Sequence, residues 1–219
     1  MIKLIIFDLD GTLINTIEDI ANACNYALLQ CGCQERRLDE YNMLVGRGID
    51  NLFRGALPEG MKTEDMVTKM RDFFVPYYNE HKCDFTRPYD GIIDTLKELS
   101  ACGYKMAIAS NKYQAGTEEL VRNLFGEFSF VRILGERAGK PIKPDPLIVS
   151  EAMEAVPGIT IDEVLYCGDS NVDMQTGINA GVKTVGVTWG FRTREELQAY
   201  NPLALIDHPS ELPGLISRL

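Results

Sequence analysis

Asp8 and Asp10, two positions apart in Phe7-Asp8-Leu9-Asp10-Gly11-Thr12-Leu13, are the side chains whose spacing best suits chemistry. They follow the apolar run Leu4-Ile5-Ile6-Phe7, which is short, Ile-rich and uncharged and so predicts a buried strand. Side chains two apart on a strand project from one side, so both carboxylates can address one small volume. Gly11 and Thr12 then predict a sharp turn. Two carboxylates crowded at the end of a buried strand repel each other and lose hydration, a conflict that a cation or a proton resolves. A pair of solvated aspartates in a strand-to-helix loop is the alternative that this pattern alone leaves open.

Three more groups follow predicted strands. After Tyr104–Ala109 come Ser110 and Asn111, a hydroxyl and a carboxamide that can donate hydrogen bonds to a phosphoryl oxygen. After Phe130–Leu134 comes Gly139-Lys140-Pro141-Ile142-Lys143-Pro144-Asp145-Pro146, where Lys143 sits between prolines just before a helix and can be held near an anion. After Val164–Cys167 comes Gly168-Asp169-Ser170-Asn171-Val172-Asp173. Asp169 and Asp173, four apart across a helix start, share a face and can meet at one metal site. Carboxylate and carbonyl oxygens with several waters suit magnesium. Singly, each group has a plainer reading: Ser110 or Asp169 as a helix cap, Lys143 as a solvated lysine, Asp173 as a partner of a helix dipole. Jointly the plain readings fail, because four loops at one sheet edge carry the acid, donor, cation and acid groups of a single reaction.

The elements that must position these groups alternate. Further strands are predicted at Thr184–Val187 and Leu203–Ile206. Helical spacing recurs in Ile92, Ile93, Leu96 and Leu99, in Leu120, Val121, Leu124 and Phe125, and over Leu147–Val156. Strands alternating with helices predict an α/β fold, a doubly wound parallel sheet with its ligand crevice at the carboxyl ends of the strands. From about Asn15 to Cys83 the rhythm breaks into helical patterns alone. Thr16 with Asp19 resembles a capping signal, and Ile17, Ile20, Ala21, Cys24, Ala27 and Leu28 form a stripe ending near Gly32. Met66, Met70, Phe73, Phe74 and Tyr77 form a second stripe, read as core. The expected organisation is a core domain of residues 1–14 and 84–219 with a helical domain, 15–83, inserted in it.

Composition narrows the partners. The 219 residues are 45% hydrophobic and 25% charged, as in ordinary globular proteins. A net charge of −10 argues against a nucleic-acid-binding surface but not against a small phosphorylated substrate, since local lysines and a metal can reverse the field in one pocket. No apolar run approaches the roughly 20 residues needed to span a bilayer, and the N-terminus does not read as a signal peptide. The six cysteines show neither a CxxC pair nor zinc spacing, so reduced thiols and a cytoplasmic location are expected.

Asp-Leu-Asp-Gly-Thr-Leu at 8–13, Ser-Asn at 110–111, Lys-Pro-Asp-Pro at 143–146 and Gly-Asp-Ser-Asn-Val-Asp at 168–173 occur in this order over nearly the whole chain. Together they resemble a phosphatase of the haloacid dehalogenase superfamily, similar to the phosphoglycolate phosphatase group with a helical (C1-type) cap on a Rossmann-like core. The resemblance implies that Asp8 is the nucleophile, forming an aspartyl-phosphate, and that Asp10 is the general acid and then base. It implies Mg2+ held by Asp8, the Asp10 carbonyl and Asp169, with Asp173 outside positioning the metal's waters. Lys143 and Ser110 would stabilise phosphoryl charge, with Thr12 and Asn111 on the substrate side. Asn15 stands where many relatives carry an acid, a departure at the hinge of the cap. The loop Leu44-Val45-Gly46-Arg47-Gly48 resembles the family's cap loop, which leaves Arg47 as either a solvated arginine or a contact to the substrate's non-reacting end.

The expected activity is magnesium-dependent hydrolysis of a small phosphorylated metabolite by a monomer or homodimer. A sugar phosphomutase of the same superfamily is the alternative, disfavoured because such enzymes usually place Glu-Asp where Gly168-Asp169 stands. A dehalogenase is disfavoured by Asp10, and a non-catalytic phosphometabolite-binding protein by the intact set of site residues. The only histidines, His81 and His208, lie in no hydrolase or zinc pattern.

Overall fold

The computed structural model describes all 219 residues, Met1–Leu219. In chain order the strands are β1 (Leu4–Phe7), β2 (Ile14–Asn15), β3 (Arg87–Pro88), β4 (Lys105–Tyr113), β5 (Phe130–Glu136), β6 (Val164–Gly168), β7 (Lys183–Val187) and β8 (Ala204–Ile206). The helices are α1 (Ile17–Gln30), α2 (Tyr41–Leu44), α3 (Ile49–Ala56), α4 (Glu64–His81), α5 (Ile92–Ala101), α6 (Gln114–Phe125), α7 (Leu147–Glu154), α8 (Asn171–Ala180), α9 (Arg194–Gln198) and α10 (Glu211–Ile216).

An apolar strand with no polar face must be covered on both sides, and β1 is. Ile5 and Phe7 pack with Leu96, Ile108 and Val121 on one side, while Leu4 and Ile6 pack with Ala107, Val149 and Tyr166 on the other. β1 therefore lies inside a six-stranded sheet of order β5-β4-β1-β6-β7-β8, in which every pairing is parallel. This is a Rossmann-like α/β fold. The chain leaves β1 for β4 on one side and later reaches β6 on the other, so the strand order reverses at β1 and a crevice opens at its carboxyl end.

Helices α1–α4 all fall between β2 and β3, and they share an apolar cluster of their own that includes Cys24, Tyr41, Phe53, Met70 and Phe74. The two short strands pair antiparallel, Ile14 with Pro88 and Asn15 with Arg87, so a small ribbon clips the points where the helical segment leaves and returns. No helix is long and apolar enough to cross a membrane.

Two local expectations are corrected. β4 does not stop at Ala109: it runs on through Ser110, Asn111 and Lys112, and Tyr113 pairs with Glu136 of β5. Between the Ala109–Leu134 and Tyr113–Glu136 pairs, β4 advances four residues and β5 two, an irregularity of the kind that re-aims side chains beside a site. The helix cap at Thr16 also differs. Thr16 is the residue before α1, but its hydroxyl donates to Asp10 Oδ1 at 2.8 Å and makes no cap. The Asp19 carboxylate instead accepts from the N–H groups of Phe85 and Thr86, tying α1 to the approach of β3.

Candidate active site

The loop after β1 is tight. The N–H groups of Leu13 and Ile14 both donate to Leu9 O, and Gly11, at φ +90°, donates to Ile14 O at 2.8 Å. A Cβ on Gly11 would stand 2.4 Å from Asp169 Oδ2, so this turn excludes any other residue on two grounds. Asp8 and Asp10 line one pocket, as their spacing predicts, but they have different partners. Asp8 Oδ1 accepts from Leu9 N–H at 2.7 Å and pairs with Lys143 Nζ at 2.8 Å. Asp10 accepts from Thr16 and pairs through both oxygens with Lys112 Nζ, at 3.0 and 3.1 Å.

Lys143 is the opposite of a solvated lysine, being 3% exposed. Its ammonium donates to Ala109 O at 2.9 Å and Asp173 Oδ1 at 2.7 Å and pairs with Asp8. Burial alone would lower its pKa, but Asp173 and Asp8 outweigh burial and hold it well above the ordinary value. Its main chain is fixed by Asn111, whose Oδ1 accepts from Lys143 N–H at 2.8 Å and whose Nδ2 donates to Lys143 O at 3.0 Å. The other Nδ2 proton goes to Gly46 O at 3.0 Å, so no Asn111 donor is left for a phosphoryl group. Ser110 is not a helix cap, because α6 begins after Tyr113. Its Oγ accepts from Lys112 N–H at 3.1 Å, which leaves its own hydroxyl proton free to donate into the pocket it lines.

Asp169 directly follows β6, and Asp173 lies in the first turn of α8. Asp173 is saturated: Oδ1 accepts from Lys143 and Tyr166, and Oδ2 from the N–H and hydroxyl of Ser170. Gly168 makes room for it, since a Cβ there would lie 2.2 Å from that of Asp173. Asp169 accepts one bond at each oxygen, from the Thr12 hydroxyl and from Phe191 N–H. Thr12 is thus buried behind Asp169 and does not line the pocket.

Asp8, Asp169 and Asp173 are all buried, with carboxylate oxygens within 4.8 Å of one another. Burial first, and then the charge of Asp173, pushes the Asp169 carboxyl up to about 7. Asp8 is also raised well above its ordinary value, by burial and then by Asp173, against the opposing charge of Lys143. Acids so raised are an unmet demand for positive charge. The donors that remain are hard oxygens of Asp8 and Asp169, and this set fits a divalent cation such as magnesium.

The pocket encloses about 60 Å³, far below the ~300–1,000 Å³ of sites for drug-sized ligands. The core supplies its polar floor, and α1, α3, α4 and the Val45–Gly48 loop supply an apolar roof. Gly46 and Gly48 line it, whereas Arg47 between them is exposed and does not.

Two residues of this neighbourhood escape the sequence reading. Lys112 had a usable signal, because it stands two beyond Ser110 on a strand and so shares its side. Arg192 had none. It follows β7, is 4% exposed, and its guanidinium donates to the carbonyls of Asn42, Met43 and Val45 (2.9 Å), which fastens the roof loop to the core.

Comparison with known proteins places this geometry in context. The sequence model of the haloacid dehalogenase-like hydrolases matches residues 5–187. A phosphoglycolate phosphatase of Vibrio parahaemolyticus is 33% identical over 99% of this chain and 96% of its own length. Pyrophosphatase PpaX of Bacillus mycoides is 30% identical over 100% and 98%. The crystal structure of a predicted phosphoglycolate phosphatase from Haemophilus somnus superposes with a TM-score of 0.91 at 28% identity, covering 98% of each chain.

Proposed function

Because this chain belongs to the haloacid dehalogenase-like hydrolases and is a phosphatase, we propose that it is a magnesium-dependent phosphomonoester hydrolase whose substrate is phosphoglycolate or a similarly short phosphorylated metabolite. The observation that carries this reading is Asp8, which lines the pocket: one carboxylate oxygen is pinned by Leu9 N–H and Lys143, while the other accepts no hydrogen bond from the protein. Residues 15–83 act as a cap over the core formed by 1–14 and 84–219, closing on a substrate small enough for the pocket.

Asp8 attacks phosphorus, the bond to the ester oxygen breaks, and Asp10 gives that oxygen its proton. Water then attacks the aspartyl-phosphate, its proton passes to Asp10, and phosphate leaves with Asp8 restored. Lys143, already held in place by Asp173 and Ala109, and the Ser110 hydroxyl meet charge on the phosphoryl oxygens without reorganising. Asn111 positions Lys143 and the roof loop, and Thr12 positions Asp169. A magnesium ion held by Asp8, the Asp10 carbonyl and Asp169 supplies further neutralisation of phosphoryl charge when bound. The names of the Vibrio and Bacillus relatives point to two substrates, phosphoglycolate and pyrophosphate, that share a phosphoryl group joined to a small, negatively charged leaving group.

The test is hydrolysis of phosphoglycolate and p-nitrophenyl phosphate with magnesium and with excess chelator. Activity that needs the metal and vanishes in Asp8→Asn supports the reading. Full activity in chelator, or in Asp8→Asn, overturns it.

A further inference from the structure

Two cations line the pocket, and one of them is committed. Lys143 donates to Ala109 O and Asp173 and pairs with Asp8, so it serves the reacting centre. Lys112 is different. Its side chain is 6% exposed, it lies 4.8 Å from the centre of the Tyr78 ring, and its acidic partner is Asp10. The opposing roof, from Ile20, Val45, Ile49, Leu52, Phe74 and Tyr78, offers no charge at all. Arg47, the cation that the roof loop carries, is exposed outside the pocket.

We propose that Lys112 selects the leaving group, exchanging Asp10 for the negative charge of a short substrate tail such as the carboxylate of a phosphorylated hydroxy acid. The inference rests on the phosphatase reading above, since it takes Asp10 to stand beside the ester oxygen. An ammonium this buried needs an anion against it at all times. In the resting pocket Asp10 is that anion, and Lys112 engages both of its oxygens. A neutral leaving group gives Lys112 no second partner, so the pair stays closed. An anionic tail replaces Asp10 at Lys112 with the ion pairing conserved, and the released Asp10 carboxylate, now without a cation, takes up a proton from solvent and can turn to the ester oxygen as its acid. A carboxylate one carbon from that oxygen falls within the short span between Asp10 and Lys112. Elsewhere the pocket offers it the apolar roof, the acids around Lys143 and the Ser110 hydroxyl that serves the phosphoryl group, so the tail is placed as well as recognised.

The experiment compares kcat/KM for 2-phosphoglycolate and 2-hydroxyethyl phosphate, which match in length and differ in the charge of the tail. The proteins are the wild type, Lys112→Met and Lys112→Arg, each with magnesium and with p-nitrophenyl phosphate as a control. The wild type is expected to favour 2-phosphoglycolate by about tenfold or more. Lys112→Met should slow both substrates, because Asp10 loses its partner. The ratio between them should also fall by on the order of 10- to 100-fold, the worth of one charged hydrogen bond. Lys112→Arg, which keeps the cation, should retain the preference. Equal losses on both substrates in Lys112→Met would reduce Lys112 to a support for Asp10 and overturn the proposal. So would a wild type that turns over both phosphates equally, whatever the variants do. A wild type that hydrolyses none of the three compounds removes the phosphatase reading itself, and this proposal with it.

Discussion

Without a divalent cation this protein should lose stability as the pH rises towards neutrality, and Asp169 sets the size of the loss. Its carboxyl is pushed from 3.8 up to about 7 in the folded chain, first by burial and then by the charge of Asp173. Between those values the folded state keeps a proton that the unfolded state has released, so stability falls with pH across the window and the loss is complete above it. At about 1.36 kcal/mol for each pH unit between the two values, the loss is on the order of 4 kcal/mol. For a chain of this length that is a fall in Tm of roughly 8–16 °C. Asp8 acts in the same direction, being raised by burial and by its acidic neighbours. Acids such as Glu151, lowered from 4.5 by Arg137, act in the opposite direction, but their contribution is complete once the pH passes their unfolded value and so does not offset the loss from there to neutrality.

Thermal melts in chelator at about pH 5 and about pH 8, between which about two-thirds of that loss falls, on wild type and Asp169→Asn, isolate the effect. The wild-type Tm should drop further than that of the variant, which has no carboxylate to ionise. Magnesium should restore the wild type at the higher pH and do much less for Asp169→Asn, because a ligand stabilises only the state that binds it. Parallel melting in the two proteins, with or without magnesium, would refute the argument that Asp169 is a buried acid awaiting a cation.

Asp8→Asn should form no covalent phosphoprotein, whereas Asp10→Asn should accumulate it with an activated ester whose leaving group needs little protonation; intact-mass measurement decides, and a phosphoprotein in Asp8→Asn reverses the assignment. Gly168→Ala places a Cβ 2.2 Å from that of Asp173 and should lower stability by about 1–3 kcal/mol, with a larger loss of kcat because Lys143 loses its anchor. An unchanged melt and rate would show that α8 gives way at no cost. Arg192→Met removes the donor to three roof-loop carbonyls and should raise KM by roughly tenfold and speed proteolysis within residues 42–48. Arg47→Ala, at an exposed position outside the pocket, should stay within about threefold of wild type, so equal effects of the two would mean that the loop is not held from the core.

What the sequence made legible was the grouping of side chains carried by short spacings. Asp8, Asp10, Ser110 and Lys143 do meet in one pocket, and Asp169 and Asp173 do meet Asp8, because strand and helix periodicities fix which side chains share a side. What stayed hidden depends on partners distant in the chain. β4 carries a polar run, Ser110-Asn111-Lys112, that ends an apolar pattern, yet pairing with β5 continues the strand through it. The Thr16 oxygen could serve its own helix or Asp10, and only the packing of the β1 loop against α1 decides for Asp10. Thr12 and Asn111, expected on the substrate side, have their donors taken by Asp169, Lys143 and Gly46. Arg192 reaches carbonyls some 150 residues earlier in the chain, beyond any local pattern.

The charges of the site explain why these pieces belong together. Asp8, Asp169 and Asp173 bring three carboxylates into one buried cluster, and Lys143 answers one of them. Two negative charges remain, which one divalent cation balances and a monovalent ion does not. Asp10 and Lys112 form a separate pair that is neutral by itself and adds nothing to that demand. With such a cation bound, a phosphoryl group entering the pocket would meet a centre already balanced by it and by Lys143. Any further negative charge on the substrate has one cationic side chain left to meet, Lys112, and it is held against Asp10, the acid proposed above to protonate the leaving oxygen. Recognition of the tail and release of Asp10 thus fall to a single ion pair. The same arrangement keeps the acid engaged when the tail is absent.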